Sequence, residues 1–223
     1  MLIQFNHAST YEIMASDLSL EDKLAKILSR RYISRKQKAI CAGNLLAHGV
    51  NVRTRNDVLL RWAAENGFVD LVIAALKRGC DIHVLNGESL ICAAVNNHTE
   101  VVQYLLESGA DPSKREYCAF RICASFGQLD MMKLLLNYPT DVPTDVTARN
   151  NFAIKSAYQN EQNEIVRYLA QHYPDIIKQK ARATDDRLVL SIIEGYAKLA
   201  SCQNYDLVAS GASTTRVEKP TFH

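Results

Sequence analysis

The 223 residues are 48% hydrophobic and 22% charged, a balance that suits a folded chain with a sizeable apolar core and argues against disorder. The formal net charge of +2 gives no global drive toward nucleic acid or an anionic membrane surface. No apolar run approaches the ~18 residues of a membrane span, and Met1–His7 lacks a basic stretch followed by an apolar core, so no secretory signal is expected.

Residues 1–19 carry no clear period and are expected to form an N-terminal arm, with Leu2, Ile3, Phe5, Tyr11 and Ile13 able to pack on the first helices as a cap. A helix is predicted from Leu20: Ser19 can cap it, Glu21 and Asp22 suit its first turn, and Leu24, Ile27 and Leu28 form an apolar stripe. Residues 20–55 are a degenerate capping repeat, in which Leu45-Leu46-Ala47-His48-Gly49 anticipates Ala75-Leu76-Lys77-Arg78-Gly79 thirty residues later.

The repetition is clearest between Trp62 and Asp111. Ala63-Ala64 lies over Ala93-Ala94, Leu71-Val72 over Val101-Val102, and Gly79-Cys80-Asp81 over Gly109-Ala110-Asp111, always thirty residues apart. A period of that size signals a stacked array, in which no unit buries its apolar face alone. Four units span 56–175, at roughly 56–85, 86–115, 116–145 and 146–175. The third keeps Phe120, Cys123, Ala124 and Gly127, but its exit at 137–145 holds Pro139 and Pro143 and lacks Gly-Ala-Asp. The fourth follows at 34 residues, which predicts a longer loop at 137–145. Residues 176–201 are expected to be a helical C-terminal cap, and 202–223 a flexible tail.

Each unit is predicted to be two short antiparallel helices. The alanine pairs let the first helix approach its neighbours closely. Leu71, Val72, Ala75 and Leu76 mark the buried stripe of the second. Gly79 and Gly109 fall where a left-handed residue closes a helix, Gly67 and Gly127 fall between the two helices, and Asp81 and Asp111 suit turns because the side chain can bond nearby backbone donors.

The run Leu90-Ile91-Cys92-Ala93-Ala94, followed by Glu100-Val101-Val102-Gln103-Tyr104-Leu105-Leu106-Glu107-Ser108-Gly109-Ala110-Asp111, resembles an ankyrin repeat, although the usual T-P-L-H opening is replaced by Glu88-Ser89-Leu90-Ile91. The short period resembles the divergent repeats of large DNA viruses and intracellular bacteria. The resemblance implies an all-α, ankyrin-type α-solenoid with capping helices, and a non-enzymatic scaffold or adaptor binding another protein through its concave face. Candidate residues on that face, at the tips between repeats and on the first helices, are Arg53, Arg55, Arg61, Glu65, Asn86, Glu88, Ile91, Val95, Lys114, Arg115, Arg121 and Lys155. Trp62, on the apolar phase of a first helix, is expected in the core; the alternative is an aromatic anchor in the groove.

Six cysteines, several where the repeat wants a small apolar residue, are expected to be free thiols, which favours a reducing compartment and a cytoplasmic location, including a host cytosol if the source is viral or bacterial. The six histidines form no H-x-x-x-H or H-E-x-x-H pair, C-x-x-C is absent, and no phosphate-binding or nucleophile motif occurs, so neither metal, cofactor, small-molecule substrate nor catalytic residue is expected. Asp185-Asp186 is expected to be a solvated helix cap. One charge feature remains. Arg30, Arg31, Arg35, Lys36 and Lys38 fall within nine residues, a solvated face or a docking patch for an acidic partner, protein or nucleic acid.

Overall fold

The computed structural model describes residues 8–139 and 143–209, with side chains over 10–139 and 143–198. Among the described residues there are thirteen helices and no strand. Inside the expected arm, α1 (Ala8–Ala15) packs on α2 (Leu20–Ser29), which pairs with α3 (Arg35–Ala47). The repeating pairs are α4 (Val58–Asn66) with α5 (Val69–Lys77), α6 (Val84–Val95) with α7 (Thr99–Glu107), α8 (Lys114–Ser125) with α9 (Leu129–Asn137), and α10 (Ala148–Gln159) with α11 (Asn163–His172). A closing pair follows, α12 (Pro174–Ala183) and α13 (Arg187–Ala209). The last helix therefore runs eight residues into the stretch expected to be a tail; 210–223, like 140–142 in the expected longer loop, lie outside the described residues.

The pairs stack in two rows. In the first, α2, α4, α6, α8, α10 and α12 each touch the next; in the second, α3, α5 and α7 do so, and α13 packs on α11. The core follows the repeat phase. Leu60, Leu90, Phe120 and Ile154 are buried in the first row, and Val72, Val102, Met132 and Val166 in the second. Each such side chain contributes about 1.5–3 kcal/mol by leaving water. Between the rows Ala63, Ala64, Ala93, Ala94, Cys123, Ala124 and Ala157 are completely buried, and anything larger would hold the helices apart. Trp62 is in this core, stacked on Phe68 at 5.3 Å between ring centroids.

Local chemistry sets the ends. Ser19 Oγ accepts from Asp22 N at 3.1 Å, and Ser34 with Gln37 forms a capping box at the start of α3. His48 Nδ1 meets Asn44 O at 2.7 Å at the end of α3. Gly79 (φ 89°) and Gly109 (φ 95°) close α5 and α7 in the left-handed region. The α9 exit, without glycine, leaves through extended Tyr138 instead.

Candidate protein-interaction face

Each repeating first-row helix is entered through three consecutive left-handed residues: Arg55-Asn56-Asp57, Leu85-Asn86-Gly87, Arg115-Glu116-Tyr117 and Arg149-Asn150-Asn151. Eleven of these twelve carry a Cβ, and a left-handed conformation costs such a residue about 1–2 kcal/mol. Three kinds of contact offset that cost.

The first lies within the turn. An Asx side chain opens each one: Asn51, Asp81, Asp111 and Asp145 accept from the N–H two residues on, at 3.0, 2.9, 2.8 and 2.8 Å. Backbone bonds then close three of the turns, as from Asn151 N to Thr147 O at 2.9 Å.

The second is an arginine clamp. Arg61 donates from Nε to Asn56 O at 2.9 Å and from Nη2 to Arg55 O at 3.4 Å. Arg121 repeats this in its own unit, to Glu116 O at 2.8 Å and Arg115 O at 3.0 Å. Ile91 and Lys155 occupy the same position in the other two units. At the Ile91 unit the arginine of the next turn substitutes, Arg115 Nη2 reaching Leu85 O at 2.7 Å.

The third links neighbouring units. Asp57, only 2% exposed, accepts from Asp81 N at 3.0 Å with Oδ2, while Arg53 Nε stands 3.3 Å from Oδ1 as an ion pair without hydrogen-bond alignment. Tyr117 Oη donates to Pro143 O at 3.3 Å, and the fully buried Asn151 reaches Ile177 O with Nδ2 at 3.5 Å. Across the turns runs a line of ion pairs: Arg55–Asp22 at 3.2 Å, Arg61–Glu88 at 3.7 Å, Arg115–Glu88 at 3.8 Å, Arg149–Glu116 at 2.9 Å and Lys155–Asp186 at 2.9 Å.

The opposite edge, where each first-row helix turns into its partner, has its own series. His98 Nε2 meets Glu65 O at 3.0 Å, Gln128 Nε2 donates to Val95 O at 2.8 Å, and Asn160 Nδ2 donates to Ser125 O at 3.0 Å. Each satisfies a free carbonyl at the end of the preceding unit's helix.

Between the edges, the first-row helices leave a partly exposed apolar strip: Cys92 and Val95, then Cys118 and Ile122, with Phe126 and Phe152 exposed. Phe152 lies under the Arg121 guanidinium at 5.2 Å.

The residues expected on the concave face divide accordingly. Arg53, Arg55, Asn86 and Arg115 are exposed on the turns, Lys114 is half-exposed beside them, Glu65 is exposed on α4, and Val95 is half-exposed on α6. Arg61, Glu88 and Lys155 are half-buried in the ion-pair line. Two expectations are corrected. Ile91 is 7% exposed and Arg121 is 6% exposed; the first packs in the core and the second turns back on its own backbone, so neither offers a free side chain. Asp186 is also more than a solvated cap, for it is half-buried against Lys155 and accepts from Val189 N at 3.3 Å. Asp57 escaped sequence reasoning because an Asp before a helix resembles an ordinary cap; its side chain makes no cap bond here and crosses to the next unit.

Of the basic patch, Arg30, Arg31, Arg35 and Lys36 are exposed at the α2–α3 loop. Lys38 instead donates to Leu28 O at 2.7 Å, and burial lowers its pKa from the ordinary lysine value. Cys41, Cys80 and Cys123 are buried free thiols, and Cys92 and Cys118 are half-buried ones; the Cys202 side chain lies outside the described set. Burial, with the Asp57 carboxylate beside it, pushes the Cys80 thiol up to about 12, and burial does the same to Cys123. No group of three or more metal-ligating side chains occurs among the described residues, nor is any helix there long and apolar enough to cross a membrane.

Stacked helix pairs joined by in-phase turns define a repeat solenoid, a class whose working parts are surfaces rather than catalytic pockets. Residues 32–116 match the family model described as ankyrin repeats (3 copies), so the units within that span are ankyrin repeats. The α8/α9 and α10/α11 pairs beyond that match continue the same buried phase. Among known proteins the chain is similar to a putative ankyrin repeat protein of Acanthamoeba polyphaga mimivirus, 33% identical over 92 residues that cover 41% of this chain and 13% of the relative. It is also similar to a potassium channel of Arabidopsis thaliana, 30% identical over 125 residues that cover 53% of this chain and 15% of the relative. The chain thus spans a small part of either relative's length. Ankyrin repeats as a family generally mediate protein–protein interaction and are generally non-enzymatic.

Proposed function

We propose that this chain is a non-enzymatic scaffold or adaptor that binds a partner protein across the first-row helices and the tips of the left-handed turns, its concave face by likeness to other ankyrin arrays. The supporting observation is the apolar strip Cys92–Val95–Cys118–Ile122, flanked by Phe126 and Phe152 and left partly uncovered between two edges tied by hydrogen bonds from unit to unit. A surface held in this way loses little conformational freedom on binding, so its contacts translate into affinity. Arg53, Arg55, Asn86, Lys114 and Arg115 supply a polar rim. The functional units are the four repeats at 56–175 with a cap at each end. The free thiols suit a reducing compartment such as the cytoplasm.

The experiment is affinity capture with the wild type, with a Val95→Asp/Phe126→Asp variant, and with Lys77→Glu in the second row as a control. A protein captured by wild type and control but lost with the double variant, at unchanged melting temperature, supports the reading. Capture that survives the double variant and fails with Lys77→Glu places the interface on the other row and overturns it.

A further inference from the structure

Charge in this chain is segregated. From Lys23 to Asn56 there are nine Lys and Arg and no Asp or Glu; the remaining residues hold 17 Lys and Arg against 24 Asp and Glu, a formal −7. The small net charge of the whole hides two opposed regions.

The basic region has its focus at the loop joining α2 and α3. Arg30 and Arg31 leave the end of α2, and Arg35 and Lys36 begin α3. All four are exposed, and none has a carboxylate within ion-pair distance among the described residues, whereas Arg53 and Arg55 of the same stretch are paired with Asp57 and Asp22. The loop is not free to spread the charges. Ile33, at its centre, is 3% exposed, and the Ser34–Gln37 capping box fixes the start of α3. Arg35 and Lys36 also sit in a helix first turn, where the backbone dipole disfavours cations and where α3 has no acidic residue. Four cations are therefore held around one short loop, two of them against the start of α3, with no carboxylate among the described residues paired with them. A local rule broken without internal compensation is expected at a functional site.

We propose that this loop docks an acidic segment of a partner polypeptide. It lies on the edge where first-row helices turn into second-row ones, opposite the left-handed turns, and is separate from the strip between the edges. Polypeptide rather than nucleic acid follows from three observations. Four cations in a single loop match a short acidic run, while a nucleic-acid strand would extend past them onto a body of charge −7. Single-strand binders use several stacking aromatics interleaved with their cations, and here Tyr32 alone stands within the run Arg30–Lys36. The one exposed ring beside the cations, Tyr32, already has the Arg30 guanidinium 5.7 Å from its centroid.

The test uses the full chain and a fluorescent peptide of alternating Glu and Gly, followed by anisotropy. The comparison probes are a Gln–Gly peptide and short single-stranded DNA and RNA of equal charge. The variant is Arg30→Glu/Arg31→Glu/Arg35→Glu/Lys36→Glu, and the control makes the same change of charge elsewhere: Lys77→Glu/Lys180→Glu/Arg182→Glu/Arg187→Glu. The acidic peptide is expected to bind at about 50 mM salt and to be released by about 500 mM, to weaken roughly ten-fold or more in the loop variant, and to keep most of its affinity in the control. The loop variant's melting temperature should stay near the wild-type value, since the new carboxylates at the start of α3 suit its dipole while those at the end of α2 oppose theirs. A matching Arg→Gln and Lys→Gln variant covers misfolding and should lose binding as well. Absence of peptide binding at low salt, equal loss in loop variant and control, or tighter binding of either nucleic acid each overturns the proposal. None of these outcomes touches the reading of the apolar strip, which concerns other residues.

Discussion

The Arg121 guanidinium turns back to donate to Glu116 O at 2.8 Å, so a residue with every appearance of a surface anchor is part of the backbone support of its own turn. A second bond to Arg115 O at 3.0 Å uses the fork of the guanidinium, and the side chain is 6% exposed. Arg121→Met is expected to destabilise by about 2–4 kcal/mol, from two lost charge-assisted bonds and two carbonyls left without partners. Arg121→Lys should recover little, because an ammonium cannot bridge both oxygens as a planar fork does. Arg61→Met, at a more exposed clamp, should cost less. Urea unfolding of the three variants checks the order; equal stability of Arg121→Lys and wild type would refute the clamp.

Lys155 and Asp186 join the last repeating helix pair to the closing helix pair at 2.9 Å. Burial raises the Asp186 pKa, but the Lys155 hydrogen bond, the Val189 N–H and the Lys155 charge together hold it below the usual carboxylate range. A carboxylate depressed in the folded state contributes stability that is complete above its unfolded pKa of about 3.9 and is lost as pH falls through the folded value. Melting temperature should therefore fall on acidification below about pH 4, and Lys155→Met should flatten that fall while lowering stability at neutral pH. Identical acid slopes in the two proteins would show that the pair contributes nothing.

Gly67 has φ 76°, and a Cβ placed on it would lie 2.6 Å from His98 Nδ1. Gly79 has φ 89°, with nothing within 4 Å of the same construction. Gly79→Ala should cost about 1 kcal/mol from backbone conformation alone, and Gly67→Ala clearly more. In a double-mutant cycle, His98→Ala should relieve part of the Gly67→Ala cost, since it removes the ring that the new methyl meets. Strict additivity of the two changes would contradict the contact.

The thiols should react in the order of their surroundings. Cys80 and Cys123, buried and with pKa values pushed up to about 12, should resist iodoacetamide in the native protein at mildly alkaline pH. The half-buried Cys92 and Cys118 should be labelled before them. Peptide mapping by mass spectrometry reads the order, and early labelling of Cys123 would mean that the rows separate under native conditions.

The repeat phase, the alanine pairs, the glycine exits and the Ser19 cap were legible in the sequence because each is a local requirement: helix periodicity, close approach, a left-handed closing residue, an N-terminal acceptor. The roles of Arg61 and Arg121 were not, because spacing does not reveal the hand of a turn. Only when three residues wind to the left do the carbonyls of Glu116 and Arg115 come within reach of one guanidinium. In the same way Asp186 looked like a cap until the stack brought Lys155 to it across 31 residues, and no spacing announced that Asp57 accepts from Asp81 N in the next unit. What the chain determined by itself is thus the set of elements and their apolar faces. Which charged side chains are consumed in joining the units, and which are left to meet another molecule, was decided by the tertiary structure, because hydrogen bonds between neighbouring units depend on the stacking geometry and not on sequence spacing.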